Sequence, residues 1–505
     1  MSTQMRVTST ALRRTTLAAG LAAAAAMAGT THAAAPLTFR AADGSAWRAL
    51  VPSQAMARAV RPAAGSVVAP AQAASLAVSG CGDDSNDSTT LRHAIISANS
   101  GDKIDLSGLN CGTIVLSGGA IPVTVDDLTI QGPGQTRLVI DGNLSDRVFV
   151  HSGAGTLTLK DLTVTRGKLV AQPAYGGCVY SKHKVALDHA AVTSCVASSP
   201  TKAAGGGIVA LYGLTLESST LANNLAEVTV GASKDFVAYA GGAFTDSVLE
   251  LKHSVVSGNT AHAVLGKSYA GGVLAAQVTA KYSTISGNTA SAIGDSYNYG
   301  LCGGVAAIYA ASIVNSTIDN NQADIVGAMV IADSDATSVI LQSTISSNKG
   351  HLVMGGVLSS APLSIANSTI AFNTGGPFGG AGVFPSGGSL QMTSTIVSNN
   401  SPLDLAGSIT VTGSNNLVKT ADINLTLPND TIKLDPKLGP LAANGGTTRT
   451  HALGAGSAAI DAGSLPLSLD SDQRHGSYAR TVGVAADVGA FEVDTDHIFG
   501  DGLDF

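Results

Sequence analysis

The chain has 505 residues, a formal net charge of −7 and only 12% charged residues, about half the charged share of an average soluble domain. Apolar residues make up 45% of the chain, which excludes a disordered protein, and the negative charge without a Lys/Arg cluster excludes a nucleic-acid binder. Because Gly, Ser, Thr, Asn and Val replace the usual surface residues of helices, a mainly helical protein is excluded as well. A large β-rich protein with small hydroxyl and amide side chains on its surface remains.

The first residues predict a secretory signal peptide over residues 1–33. Arg6, Arg13 and Arg14 precede an apolar run from Leu17 to Met27, and small residues follow it. The run is too short to span a bilayer, which needs about 20 residues. The alternative is a buried N-terminal helix. The arginine pair weakly indicates twin-arginine export. We therefore expect a secreted or cell-surface protein whose mature chain has no transmembrane segment.

All five cysteines lie after this segment, in a compartment that permits disulfides. We predict the pairs Cys81–Cys111 and Cys178–Cys195, which leaves Cys302 unpaired. The cysteine and histidine spacing fits no metal site. The sequence also contains no nucleotide-binding or calcium-repeat motif, so we expect neither a metal nor a cofactor.

Residues 34–78 are rich in Ala and Pro without a sustained period, and we interpret them as a flexible arm. The stretch 88–99 then predicts a short one-sided helix, with a Ser/Thr N-cap and apolar residues at Leu91, Ala94, Ile95 and Ala98. We expect this helix to cover the first turn of the repeat region, because an open sheet end invites pairing with another chain.

The main signal is a repeat of the form Ser-x-apolar-x-x-Asn. Its seven clear copies begin at Ser219, Ser254, Ser283, Ser316, Ser343, Ser368 and Ser394. The copies are 25–35 residues apart, and most are followed by a loop and a Gly-Gly pair. This period predicts an all-β fold, a right-handed parallel β-helix of about ten coils over residues 79–430. A β-propeller is the alternative, but its blades need about 40 residues or more.

The regular spacing of Asn and Gly along the chain indicates tight corners, since both residues tolerate positive φ. Asn side chains at one corner of successive coils are expected to form a hydrogen-bonded ladder. Cys195 occupies the slot that holds Asn in the other copies, which favours a bridge to Cys178 within one coil.

Three stretches together resemble one family of bacterial right-handed β-helix proteins. Residues 81–106, with Leu91-Arg92-His93-Ala94-Ile95, resemble its CSLREA-type opening, although His93 stands where Glu is usual. The repeats are similar to the polymorphic outer-membrane type. Residues 431–492 resemble the choice-of-anchor Q module, through motifs such as Asn444-Gly445-Gly446-Thr447-Thr448 and Asp487-Val488-Gly489-Ala490-Phe491. The resemblance implies an exported, surface-held β-helix, followed here by a tail over residues 493–505.

A polysaccharide hydrolase would need two carboxylates about 5–9.5 Å apart, on neighbouring coils. The position that follows each Gly pair offers Asp246, Asp333 and Asp335, but these do not form a carboxylate ladder. We interpret Asp333 and Asp335 as a solvated turn. Asp472 and Arg474 are expected to be a buried structural pair.

The loops between Asn and Gly-Gly carry many of the few polar and charged side chains, and we predict a binding edge there. Its candidate residues are Lys234, Asp235, His262, Lys267, Asp295, Tyr297, Asp324, Lys349 and His351. Ordinary solvated loop tips are the alternative interpretation. Tyr239, Tyr269 and Tyr299 each precede a Gly pair; we expect structural stacking, with an exposed platform for sugar rings as the alternative.

The sequence therefore supports two hypotheses. In the first, the chain is a structural or adhesin-like β-helix that binds a polysaccharide or cell-surface glycan along the variable-loop edge. In the second, the same edge belongs to a polysaccharide lyase or glycoside hydrolase. The sequence leaves the catalytic residues and the oligomeric state open.

Overall fold

The computed structural model describes residues 73–229, 236–293, 298–332, 335–376, 379–465 and 467–494. The predicted signal peptide, most of the predicted arm and nearly all of the predicted tail lie outside these residues. Within them the chain forms a parallel β-solenoid of about eleven turns, in agreement with the predicted fold class. The first strand, Ser75–Ala77, pairs with Lys103–Asp105, so the solenoid starts inside the range 34–78 assigned to the arm.

Two sheets enclose the main core. The long sheet contains Ser75–Ala77, Lys103–Asp105, Ile121–Val123, Leu128–Gln131, Phe149–His151, Thr156–Lys160, Val179–Ser181, Lys184–Asp188, Ile208–Ala210, Gly213–Glu217, Ala243–Lys252, Val273–Lys281, Val305–Val314, Met329–Ile331, Ser338–Leu341, Val357–Ser359, Leu363–Ala366, Ala381–Pro385, Leu390–Thr393, Leu403–Leu405 and Val411–Ser414. The back sheet contains Thr113–Val115, Val139–Asp141, Thr163–Thr165, Ala191–Thr193, Thr220–Ala222, Val255–Ser257, Thr284–Ser286, Thr317–Asp319, Thr344–Ser346, Thr369–Ala371, Ile396–Ser398 and Leu417–Val418. Each strand pairs in parallel with its equivalent one turn later, and stacked Val, Ile and Leu fill the space between the sheets.

Two smaller parallel sheets project from the middle turns and form what we call the ridge. Its outgoing sheet contains Lys168–Val170, Val196–Ser199, Leu225–Val228, Thr260–Ala263, Thr289–Ala292, Gln322–Ala323 and Lys349–Gly350. Its returning sheet contains Ala174–Tyr175, Lys202–Ala204, Val237–Ala240, Lys267–Ala270 and Tyr299–Cys302. A small core of mainly alanine and valine separates the two sheets. The described parts of the variable loops of the sequence form this ridge.

The asparagine ladder is present and runs through seven consecutive turns. Its members are Asn224, Asn259, Asn288, Asn321, Asn348, Asn373 and Asn400. In each step the backbone N–H and the side-chain Nδ2 both donate to Oδ1 of the next asparagine, for example from Asn259 to Asn288 at 3.0 and 2.9 Å. A parallel ladder joins the serines, as in Ser254 N–H to Ser283 Oγ at 3.1 Å.

The structure corrects two details of the corner interpretation. The ladder asparagines do not adopt positive φ; the residue before each one does, as in Asn320 at 55° and Ser347 at 58°. The last repeat is shifted by one residue, because Ile370 pairs with Val397, so Thr395 and Asn400 take the ladder places predicted for Ser394 and Asn399.

Gly176 and Gly379, which begin two of the Gly-Gly pairs, have the expected positive φ, at 70° and 111°, but the other pairs have a different cause. Gly271 and Gly272 have no positive φ, but a Cβ on Gly272 would lie 2.5 Å from the carbonyl oxygen of Gly304 in the next turn. The turns stack so closely at this corner that no side chain fits.

The predicted helix is present as α1, Leu91–Ser97, and it covers the first turn. The Thr90 side chain accepts the His93 N–H, and Leu91, Arg92, Ala94 and Ile95 are buried. Arg92 pairs with Asp83 at 2.8 Å and donates to two backbone carbonyls of the loop 119–120.

Both predicted disulfides are confirmed, and they are consistent with an oxidising, extracellular compartment. Cys81–Cys111 ties the cap segment to the next turn, and Cys178–Cys195 closes one coil. Cys302 is buried, and burial raises the pKa of its thiol to about 12, so it is an unreactive core residue.

We expect Cys81→Ser to lower the thermal midpoint, because an open Cys81–Cys111 loop gives the unfolded chain more freedom. The expected loss is roughly 2–4 kcal/mol of unfolding free energy. Calorimetry on Cys81→Ser and on the double variant Cys81→Ser/Cys111→Ser should give the same midpoint for both. An unchanged midpoint in Cys81→Ser would contradict a stabilising bridge.

The last residues fold back over the outside of the back sheet, and we call residues 436–493 the strap. The strap contains the antiparallel hairpin Leu438–Ala442 and Thr450–Leu453. Its Gln473 binds Thr317 and Thr344, at 3.0 and 2.6 Å. The outward-facing threonines under it, such as Thr344, are therefore fully buried.

The interior of the strap contains the predicted pair of Asp472 and Arg474, which is buried with a 2.7 Å contact. The Arg474 guanidinium lies 4.0 Å from the Tyr478 ring centroid and 3.9 Å from that of Phe491. Its role is therefore structural, as expected.

Candidate functional site

The structure describes five of the nine predicted edge residues, and it spreads them over the ridge. Lys234, Asp235, Asp295 and Tyr297 lie outside the described residues. His262 binds Ser291 Oγ at 3.0 Å within the outgoing sheet. Lys349 and His351 are exposed near the last ridge strand. The described edge residues therefore do not converge on one point.

Asp324 of the predicted edge has a structural role. Its Oδ2 accepts the backbone N–H groups of Ala292 and Gly300, at 3.1 and 2.6 Å. These two residues belong to the outgoing and returning strands of one turn, so Asp324 holds the ridge together.

Lys267 points to a different place, the angle between the returning sheet of the ridge and the long sheet. Its Nζ lies 5.5 Å from the ring centroid of Tyr299, its partner one turn later. The same angle contains a second apolar core with five tyrosines, and we call it the tyrosine groove. Its aromatic residues are Tyr175, Tyr180, Tyr239, Phe244, Tyr269, Tyr299 and Phe384.

The inner part of the groove is filled by its own rings. Tyr239 lies 5.6 Å from Tyr269 and 6.0 Å from Phe244, and all three are buried. The predicted structural stacking is thus present for Tyr239 and Tyr269. Tyr299 is two residues out of their column and lies beside Lys267, because it stands four residues before its Gly pair, whereas Tyr239 and Tyr269 stand two residues before theirs.

The groove is more open at its N-terminal end, which we call the groove mouth: Arg147, Tyr175 and Tyr180. Both tyrosines are half-buried, and burial raises the pKa of Tyr175 to about 12. The Arg147 guanidinium lies 5.4 Å from the Tyr180 ring centroid, and its Nε donates to the Tyr175 carbonyl at 2.9 Å. A cation and two aromatic rings therefore meet at a surface that solvent reaches.

No sequence pattern marks Arg147 or Tyr180 as a site residue. Neither lies in a repeated motif, and Arg147 is some 28 residues from Tyr175, its hydrogen-bond partner on the next turn. The one available signal was a lone arginine just before a strand, in a chain with few charges.

Asp246 lies on the long-sheet side of the groove, at the bend of the strand Ala243–Lys252. The pairing with the next strand shifts there, between Thr245 and Val248. The carboxyl is half-buried, its Oδ2 is buried without a hydrogen-bond partner, and burial raises its pKa to about 6. Its charge also acts on Tyr239, whose pKa is raised mainly by burial. A carboxyl of this kind can take up or release a proton near neutral pH.

Because the pKa of Asp246 is raised, we expect the free energy of unfolding to fall as the pH rises through 6. The pKa of Asp246 is raised in the folded state from an ordinary value of 3.8, so the stability it contributes is complete below about pH 4 and is lost as the pH rises through 6. Asp246→Asn cannot ionise and should therefore exceed the wild type at pH 8. Because the side chain is partly exposed, we expect a gain of only about 1 kcal/mol.

Urea unfolding at pH 4 and pH 8 measures this difference. Asp470→Asn, at an exposed carboxyl, is the control and should match the wild type at both pH values. An Asp246→Asn gain of equal size at pH 4 and pH 8 would show that ionisation is not its cause.

The predicted absence of a carboxylate ladder agrees with what surrounds Asp246 in the described turns. The neighbouring positions in the stack are Leu211, Ala276 and Ile308. Asp335 is exposed, and Asp333 lies outside the described residues.

Among the described residues no group of three His, Cys, Asp or Glu side chains could hold a metal ion. No helix in the described ranges is long and apolar enough to cross a membrane.

Comparison with known proteins gives one similar structure. No protein-family model matches the chain, and no curated protein matches it. Among solved structures, the crystal structure of pectate lyase Pel9A is similar, with a TM-score of 0.42 and 15% sequence identity. The match covers 83% of this chain and 96% of the other. No residue role is carried over from it.

Proposed function

We propose that this chain is an exported, surface-associated β-helix protein that binds a polysaccharide at the tyrosine groove. The observation that carries the proposal is the groove mouth, where the half-buried Tyr180 ring lies beside the Arg147 guanidinium. Sugar rings have apolar C–H faces that pack on aromatic rings, and their polar edges accept hydrogen bonds from arginine.

The stacked geometry favours a long ligand over a small one. Turns repeat about every 4.8 Å, so the side chains along the wall of the groove lie at regular steps along the solenoid. Lys202 and Lys267 lie further along the same wall of the ridge and are half-buried. A polymer can contact several such steps at once, and many weak contacts then add up. Lys267 lies in the groove and is also one of the residues of the predicted binding edge.

We expect Tyr180→Ala to weaken polysaccharide binding at least about tenfold, because a central aromatic contact is removed. Tyr282→Ala is the matched control: Tyr282 is also half-buried and has a cation, Lys281 Nζ, 5.0 Å from its ring, but it lies at a corner of the long sheet. Affinity electrophoresis against a panel of neutral and acidic polysaccharides measures the retardation. Equal retardation of the two variants, or none of the wild type by any polymer, would refute the groove as the site.

Asp246 favours a second candidate function, cleavage of the bound polymer by a lyase or hydrolase reaction. Its raised pKa and unpartnered oxygen suit a general acid or base. Incubation of the protein with the same panel, followed by assays for reducing ends and for unsaturated products, tests this directly. Products that persist in Asp246→Asn, or no products from any polymer, would leave binding alone as the function.

A further inference from the structure

Two rings stack on the outside of the long sheet, apart from the core of the tyrosine groove, and we call them the outer stack. His183 and Tyr212 take the same position in consecutive turns, just before the strands Lys184–Asp188 and Gly213–Glu217. Their ring centroids lie 4.9 Å apart, with an angle of 15° between the planes. Because this distance matches the rise of about 4.8 Å per turn, the second face of Tyr212 is turned toward the next turn.

The next two turns leave that second face open. The strand pairing places Ser247 and then Ala276 at the equivalent positions, and neither side chain is large enough to stack on a ring. Tyr212 is accordingly 52% exposed. Tyr309, which is 51% exposed, follows at the third turn, roughly 14 Å from Tyr212 at about 4.8 Å per turn. The outer stack therefore ends at a gap with room for a further ring.

A second stack of the same kind shows how such a face is covered in this fold. His253 and Tyr282 repeat the 4.9 Å spacing and the 15° angle. Here His475 of the strap adds a third ring, 4.8 Å from that of Tyr282. Tyr282 is only half-buried but no longer exposed, whereas no ring in the described part of the chain other than His183 contacts Tyr212. The outer stack thus has the geometry for a third ring without having one.

The surroundings of the gap suit a sugar ring better than an aromatic side chain. The exposed side chain of Lys184 extends along Gly213, with its Cγ 3.9 Å from where a Cβ would stand on that glycine. Lys182 is exposed in the same turn, and Ser247 is half-buried at the floor. A sugar ring offers an apolar C–H face to Tyr212 and hydroxyl groups to the ammonium and serine groups around it. A phenyl ring would leave these polar groups without a partner.

We propose that the open face of Tyr212 binds one sugar ring, at a site separate from the groove mouth. Tyr180 precedes His183 by three residues, about 10 Å of extended chain, so one polymer can contact both places. That this sugar belongs to the polymer of the groove rests on the proposed function. The stacking of a sugar ring on Tyr212 does not.

Titrations of the full chain with cellotriose, chitotriose and trigalacturonic acid, followed by ligand-observed NMR, test the site. We expect the wild type to bind at least one of these trisaccharides. Tyr212→Ala should weaken that binding at least about fivefold, because it removes the stacking face. Ser247→Tyr should weaken it similarly, since the new ring takes the place of the sugar on Tyr212 while every original stacking group remains. Tyr282→Ala is the matched control and should bind like the wild type.

Tyr180→Ala separates this site from the groove mouth. It should keep the trisaccharide binding that Tyr212→Ala loses. If trisaccharide binding is lost in Tyr180→Ala but unchanged in Tyr212→Ala, the groove mouth stands and the outer stack is excluded. If Tyr212-dependent binding persists although no polysaccharide binds at the groove, the proposed function fails and this site stands.

Two further results would overturn the proposal. One is that no trisaccharide binds the wild type. The other is that Tyr212→Ala and Ser247→Tyr, both shown to be folded by thermal unfolding, bind every trisaccharide as the wild type does; the outer stack would then be structural only.

Discussion

Asn288→Ala should destabilise the chain by about 4–6 kcal/mol, the largest loss that we expect from a single side chain in the stack. The Asn288 side chain is fully buried and makes bonds in two directions. Its Oδ1 accepts twice from Asn259, and its Nδ2 donates to Val256 O at 3.0 Å and to Asn321 Oδ1 at 2.9 Å. Alanine leaves a cavity and several unpaired groups in the core.

Urea unfolding followed by circular dichroism gives the free energy of unfolding for this variant. Asn288→Asp keeps the acceptors but loses the donors and buries a charge, so it should also be strongly destabilised. Asn110→Ala changes an exposed asparagine and is the control. A loss below about 1 kcal/mol in Asn288→Ala would show that neighbouring turns hold without the ladder.

Gln473→Ala should release the strap from the back sheet, with a loss of about 3–5 kcal/mol. The Gln473 side chain is 1% exposed. Its Oε1 accepts from Thr344, and its Nε2 donates to Thr317 and Thr448, each at 3.0 Å. Alanine leaves the Thr344 hydroxyl unpaired beneath the strap and removes one of the two bonds of Thr317 and of Thr448. Because turns contact only their neighbours, the effect should stay near the strap and the turns that it covers.

Hydrogen exchange read peptide by peptide measures where protection is lost. We expect faster exchange in residues 436–493 and in the back-sheet strands at Thr317 and Thr344, with the first turns unchanged. Gln277→Ala, at an exposed position of the long sheet, is the control. Uniformly faster exchange along the whole solenoid would contradict a local role for Gln473.

The regular part of the fold could be predicted because each turn repeats the same short sequence pattern. An apolar residue every second position, a polar corner and a fixed Asn slot recur at nearly constant spacing, so the copies support one another. The same regularity places Cys195 in an Asn slot and predicts its disulfide. Cys195 also donates its backbone N–H to Asn224 Oδ1 at 3.1 Å, as a ladder asparagine would. The sequence pattern misses the exact corner residue, which lies one position earlier, and the one-residue shift of the last repeat.

The candidate site could not be predicted in the same way, because it depends on the irregular segments. The ridge sheets come from loops without a repeated motif, and grouping Tyr299 with Tyr239 and Tyr269 by their nearness to a Gly pair misses the two-residue offset that places Tyr299 beside Lys267. Arg147 meets Tyr180 only through stacking of adjacent turns. Asp246 follows a Gly pair, a position at which the sequence suggests a search for paired carboxylates, and its isolation in the groove depends on a strand bend that no motif marks.

The asparagine ladder also has a direction, and the direction has a beginning and an end. Every link donates toward the C-terminus, the first donor is the backbone of Cys195, and the last acceptor is the carboxylate of Asp404, which receives two bonds from Asn400 and two from Thr420. A carboxylate cannot donate, so the series terminates there. Between these two residues every link has the same donors and the same acceptor. The ladder thus resembles a linear polymer with a fixed initiator and a fixed terminator, and one turn of the solenoid is its repeating unit.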